Sequence, residues 1–241
     1  MNIRQQQISI SGLSVAVVRK DIKNVHLSVH PPQGRITISA PQRMSIDTIR
    51  VFTISKLSWI KKQQAKMRAQ KREAPREYVN RESHYYFGKR YLLKVVNRES
   101  MQRVILKHNT IELYAHASAS IAQKEALLNA WYRQQLKKIV PKYIAKWEKK
   151  MKVKIREIGI KKMKTRWGTC NAKVGRIWLN LELAKKPLEC VEYVIVHELV
   201  HLLERKHSER FVAYMDKFMP IWRGHKEELN RTMLSHEEWS Y

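Results

Sequence analysis

His197-Glu198-Leu199-Val200-His201 sits at the end of the most apolar stretch in the chain, Leu188-Glu189-Cys190-Val191-Glu192-Tyr193-Val194-Ile195-Val196. Val191, Val194, Ile195, Val196, Leu199, Val200, Leu202 and Leu203 cover most of a helical circumference, which predicts a buried central helix from Leu188 to about Lys206. Pro187 suits the first position of that helix, where its missing N–H costs nothing. Residues four apart share a helix face about 5–6 Å apart. The imidazoles of His197 and His201 can therefore meet one zinc ion at about 2.0–2.1 Å. Glu198 lies roughly 100° further round the helix. Its carboxylate can reach a water on such an ion, whose pKa zinc lowers toward about 7, and take the proton as general base. The blander account is two histidines that hydrogen-bond within the core. Against it, buried polar groups are costly without partners, and a metal supplies them.

A catalytic zinc site needs a third protein ligand and keeps its fourth position open. His207 follows His201 by six residues, close enough for a tight turn to fold it back. The rivals are carboxylates on a later helix, Glu227 or Glu228, with His225 and His236 weaker candidates.

Upstream of the helix, Gly175–Asn180 and Lys154–Met163 read as strands. Residues 120–150 have helical spacing (Leu127, Leu128, Trp131, Leu136, Ile144, Trp147), with Pro141 as a break or kink. Short strands are expected at Tyr85–Phe87, Arg90–Val96, Arg103–Leu106 and Thr110–Leu113. Residues 45–75 read as a helix capped by Ser45 that runs into a Lys/Arg-rich exposed end. Before it, Val15–Val18, Asn24–Val29 and Arg35–Ala40 suggest a small meander turning at Pro31-Pro32-Gln33-Gly34 and ending at Pro41. No internal repeat is legible. The fold class is α+β: an antiparallel β-rich part with helices over 1–118, and a part carrying the histidine helix over 119–241, or one continuous domain.

Composition narrows the functions. The two cysteines, Cys170 and Cys190, form neither a CxxC pair nor a disulfide framework and read as small buried apolar residues. Any metal must then rest on histidines and carboxylates. No apolar run reaches the roughly 18 residues of a membrane span, and the N-terminus Met1–Gln7 lacks a signal-like stretch, so a cytoplasmic location is expected. Forty-eight Lys+Arg against 21 Asp+Glu gives a net charge of +27. Such a field attracts nucleic acid, nucleotides or acidic protein surfaces. The charge is spread along the chain and no nucleic-acid module is recognisable, so solubility or weak attraction is the simpler account.

Several separated motifs together resemble the YgjP-like metallopeptidase family. They are Arg166-Trp167-Gly168-Thr169-Cys170, the strand Ile177-Trp178-Leu179-Asn180, Pro187, Tyr193 to His201, and His207-Ser208 with Phe211. Pro220 and Leu229 fit its C-terminal pattern, and Thr169 stands where serine is usual. SprT-like relatives share the zinc helix in a DNA-associated setting. The resemblance implies a zincin-like fold, one zinc ion per chain held by His197, His201 and His207, and Glu198 as catalytic base acting on a peptide or protein substrate. It also implies an antiparallel strand beside the helix that receives the substrate backbone. Gly175–Asn180 suits that task if it lies at a sheet edge.

Arg166 and Asn180 are candidate substrate-binding residues. Alternatively they satisfy nearby carbonyls, while Trp167 packs in the core and Gly168 makes a turn. Two further functions use the same positive field. One is hydrolysis of nucleotide phosphoanhydrides at the metal, disfavoured by the missing P-loop and by a ligand set suited to zinc. The other is digestion of protein bound to nucleic acid.

Overall fold

A computed structural model describes residues 5–30, 34–69, 76–163 and 166–231. The chain separates into two compact units between Glu73 and Ala74. The first unit begins with β1 (Gln5–Ile10), β2 (Leu13–Lys20), β3 (His26–His30) and β4 (Arg35–Pro41), in the order β1-β2-β4-β3. It is not a meander, because β4 pairs in parallel with β2 and lies between β2 and β3. Apolar alternation sets the buried face of each strand: Val15 and Val17 of β2 and Ile36 and Ile38 of β4 are all buried in one core. Strand β1 escaped the sequence reading because it opens with three glutamines. Only Ile8 and Ile10 point into the core.

The expected helix 45–75 is two helices, α1 (Ile46–Ser55) and α2 (Leu57–Ala69), interrupted at Lys56. Ser45 caps α1 by accepting from the Thr48 N–H, and Ile49 and Ile60 close the core. The turn residues Pro31, Pro32 and Gln33, and the helix end over 70–75, lie outside the described residues.

The second unit starts with β5 (Ser83–Tyr86), β6 (Lys89–Asn97), β7 (Arg103–Lys107) and β8 (Thr110–Ala115). Their order, β5-β6-β8-β7, with β6 and β8 parallel, repeats the arrangement of the first sheet. This topological repeat is invisible as a sequence repeat. What the two sheets share is the period-two placement of apolar side chains in a core, as in Ile111, Leu113 and Ala115, which many residue choices satisfy.

The 31-residue helix α3 (Ile121–Met151) follows, with a full capping box between Ser120 and Gln123. It continues through Pro141, where a break or kink was expected. A stripe of buried side chains, Leu136, Val140, Ile144 and Trp147, holds both sides of the proline in place.

The third sheet contains β9 (Glu157–Lys161), β10 (Gly168–Asn171) and β11 (Arg176–Asn180) in the order β10-β11-β9. Strand β11 pairs on both sides, antiparallel to β10 and parallel to β9. The expectation of an edge strand at Gly175–Asn180 is therefore corrected: β11 is central, β10 and β9 are the edges, and β10 is the edge that packs against α4. A 3-10 turn (Leu181–Lys185) leads to α4 (Leu188–Val200), then α5 (Glu209–Phe218) and α6 (Trp222–Arg231).

Helix α4 packs against α3, α5, α6, β10 and β11, so the apolar helix is central as predicted. It ends at Val200 rather than near Lys206, because the Leu203 and Glu204 N–H groups both turn back onto the Val200 carbonyl. Pro187 precedes its first turn as the cap residue.

The division near residue 118 does not match these units; the second sheet groups with the histidine helix. The Tyr132 hydroxyl of α3 donates to the Tyr85 carbonyl of β5 at 2.7 Å. The Phe87 N–H donates to Ala184 in the 3-10 turn. Gly88 adopts φ +81 there, and a Cβ would lie 3.0 Å from the Pro187 ring.

Candidate metal centre

The last turn of α4 presents His197 and Glu198, and His201 is its C-terminal cap. Val194, Ile195, Val196, Leu199 and Val200 are all completely buried, so this turn lies in the core and His197 and Glu198 are buried with it. Beyond the cap the chain reverses, and His201 Nδ1 faces the Glu204 carbonyl oxygen at 3.1 Å. That contact orients the ring and leaves Nε2 for a metal.

His207 returns just before α5. Ser208 caps that helix by accepting from the Phe211 N–H, which fixes the exit of the chain after His207. One ligand atom from each of His197, His201 and His207 lies within 4.8 Å of the others, and among the described residues this is the only such set of three. The Nε2 atoms of His197 and His207 are 3.0 Å apart. Bonds of about 2.0–2.1 Å put two tetrahedral donors about 3.3 Å apart, so this spacing fits a common cation. Phe211 packs its ring against all three imidazoles, at centroid distances of 4.9, 4.8 and 4.7 Å. Burial holds the pKa of all three histidines below the ordinary value, most strongly for His197. Neutral imidazoles are the form that ligates metals.

Glu198 is 2% exposed. Burial pushes its carboxyl up to about 8, with the Arg166 guanidinium acting in the opposite direction. The carboxylate lies against Gly168, where a Cβ would come 2.5 Å from Glu198 Oε1 and 2.7 Å from its Cγ. Gly168 is thus a strand residue admitting the carboxylate, not a turn residue. A cavity of about 630 Å³ opens over the site, with Glu198, His201 and His207 on its floor. The edge strand β10 contributes Gly168 to Asn171 to its wall, and Arg166, Lys173 and Arg205 are also in the lining.

Of the two candidate substrate contacts, Arg166 reaches the cavity and Asn180 does not. The Asn180 amide is committed elsewhere. It donates to the Met163 and Arg166 carbonyls at 3.0 and 2.8 Å and accepts from the Met163 and Glu182 N–H groups. It anchors the segment that carries Arg166. Trp167 is buried in the core as its alternative reading had it, and Tyr193 is buried beside His197 and stacked on Trp222.

Cys190 is buried on α4, whereas Cys170 lines the cavity; burial raises both thiol pKa values, to about 11 and about 12. Glu227, Glu228 and His225 sit on α6 outside the three-histidine set, and His236 lies outside the described residues. Sequence reasoning missed the packing role of Phe211 and the close approach at Gly168. A glycine inside a strand, next to a motif with a buried acid, was the available signal for the second.

A buried helical turn with two histidines and a glutamate, a third histidine folded back, and an edge strand alongside define the class of helix-borne HExxH hydrolases. Residues 23–232 match the family described as YgjP-like, metallopeptidase domain. The chain belongs to that family and is accordingly a metal-dependent peptidase. Comparison with solved structures finds the crystal structure of the metallopeptidase zymogen of Pyrococcus abyssi abylysin, at 21% identity and a TM-score of 0.35, covering 39% of this chain and 99% of that one. Comparison with curated proteins gives no match.

Proposed function

We propose that the protein is a zinc-dependent peptidase in which His197, His201 and His207 hold one zinc ion and Glu198 is the general base. The observation that carries this reading is the convergence of three donor nitrogens within 4.8 Å of one another, with His201 and His207 lining a cavity that also reaches the buried Glu198 carboxylate. An all-imidazole set suits zinc better than calcium or magnesium, which take oxygen ligands. When bound, zinc supplies Lewis acidity toward a water and a substrate carbonyl.

The remaining work falls to the chain. Glu198 accepts the proton released on attack and returns it to the departing amine. Arg166, the cationic group acting on Glu198, opposes charge loss at the carboxylate between turnovers. The substrate backbone adds as an extended strand along β10, whose outer edge has no strand partner among the described residues.

Glu198→Gln preserves the carbonyl-like shape but cannot accept the proton. Expected is full zinc stoichiometry by elemental analysis together with loss of hydrolysis of an unstructured protein substrate. An undiminished rate would refute the assignment. His207→Ala should instead lose zinc, and retention of one ion per chain would remove His207 from the ligand set.

A further inference from the structure

The exposed charges in the cavity lining are all of one sign. Arg166 precedes β10, Lys173 lies in the turn after it, and Arg205 follows the histidine helix; all three are exposed and line the cavity. None of the three has a carboxylate within ion-pairing distance among the described residues, in contrast to Lys94, Lys107, Lys146, Lys162 and Arg223, which are paired. The only acid in the lining is Glu198, which is buried at the floor. Unpaired cations at a mouth, with a low-dielectric wall behind them, concentrate field there.

We infer that Arg166, Lys173 and Arg205 are specificity-determining residues that select acidic peptides, with Asp or Glu on both sides of the scissile bond. The inference rests on the peptidase reading for the meaning of that bond. Geometry supplies the placement. A strand added along β10 runs between the Arg166 end and the Lys173 end, and each residue advances about 3.3 Å. Acidic side chains within about three residues of the scissile bond on either side therefore come under these cations. Arg205, which follows the histidine helix, lines the same cavity.

The overall charge of +27 would attract any acidic peptide, so the test must separate the rim from the bulk field. Two labelled peptides differ only in having Glu or Gln on either side of the central bond. Their affinities are measured by fluorescence anisotropy on the zinc-loaded Glu198→Gln protein, which removes cleavage from the readout. The Glu peptide should bind about tenfold more tightly than the Gln peptide. Lys173→Glu with Arg205→Glu should abolish that preference and leave the Gln peptide's affinity unchanged. Lys137→Glu with Lys142→Glu, on the exposed face of α3, makes the same change in net charge and should leave the preference intact.

Equal affinity for the two peptides, or equal losses in the two double variants, would overturn the inference. So would a nucleoside triphosphate that displaces the Glu peptide at lower concentration than unlabelled Glu peptide does, which would reassign the rim to phosphate. Cleavage by the wild type is measured separately. An intact Glu preference without any peptide cleavage would support the rim and count against the peptidase reading, so the two fail in different ways.

Discussion

Gly168 on β10 lies against the Glu198 carboxylate of α4. A Cβ there would be 2.5 Å from Glu198 Oε1, closer than real side chains approach. Gly168→Ala must therefore push the carboxylate, the strand, or both. Misplacement of a reacting group by about 1 Å costs on the order of 10²-fold in rate. The expected outcome for Gly168→Ala is a fall in kcat of about that size with zinc stoichiometry unchanged, because the nearest atoms to the added methyl all belong to Glu198. A variant that keeps its kcat would show that the strand yields without moving Glu198. Phe211 acts differently. It touches all three rings, so its substitution belongs with changes in metal affinity rather than in proton transfer.

At the scale of elements, β8 carries a buried acid that the histidine helix does not use. Glu112 accepts from the Tyr114 hydroxyl at 2.7 Å and pairs with Lys107 at 3.0 Å and Lys94 at 3.3 Å. The Tyr114 hydrogen bond first, and the Lys107 contact next, hold its carboxyl down from 4.5 to about 2. A carboxyl lowered in the folded state stabilises the fold above its unfolded pKa, and that contribution is lost as pH falls through the folded one. Glu112→Gln is therefore expected to be less stable than wild type at neutral pH. The gap in thermal midpoint should narrow below about pH 4.5 and close near pH 2. A gap that stays constant across that range would mean the ionised form contributes nothing.

For the whole molecule, a metal bound by the three histidines would couple site and fold. Three imidazoles from the end of one helix and the start of the next are brought together only in the folded second unit, so a bound ion stabilises that unit by mass action. With free zinc at a thousand times its dissociation constant the gain is about 4 kcal/mol. Chelation should lower the thermal midpoint of the wild type, and His207→Ala should show a much smaller drop. Equal drops in the two proteins would place the stabilising ion elsewhere. The described residues contain no helix long and apolar enough to cross a membrane.

Periodicity along the chain was enough to reveal α4, its burial, and the juxtaposition of His197, His201 and Glu198, because all three depend on contacts within a few residues of each other. The same holds for Ser45 as a cap and for most strands, whose alternation records one buried face. Tertiary pairing alone decided the rest. Whether Gly175–Asn180 is an edge or a centre depends on β9, which lies some twenty residues away in sequence and leaves no local mark on β11. Asn180 and Arg166 looked alike as polar residues near the motif, until the fold used one amide to hold the loop and left the other side chain at the cavity. The parallel joins β2–β4 and β6–β8 are long-range choices of the same kind. Residue spacing records the neighbours a helix or strand imposes, and it carries no information about which separate segment fills the space beside them.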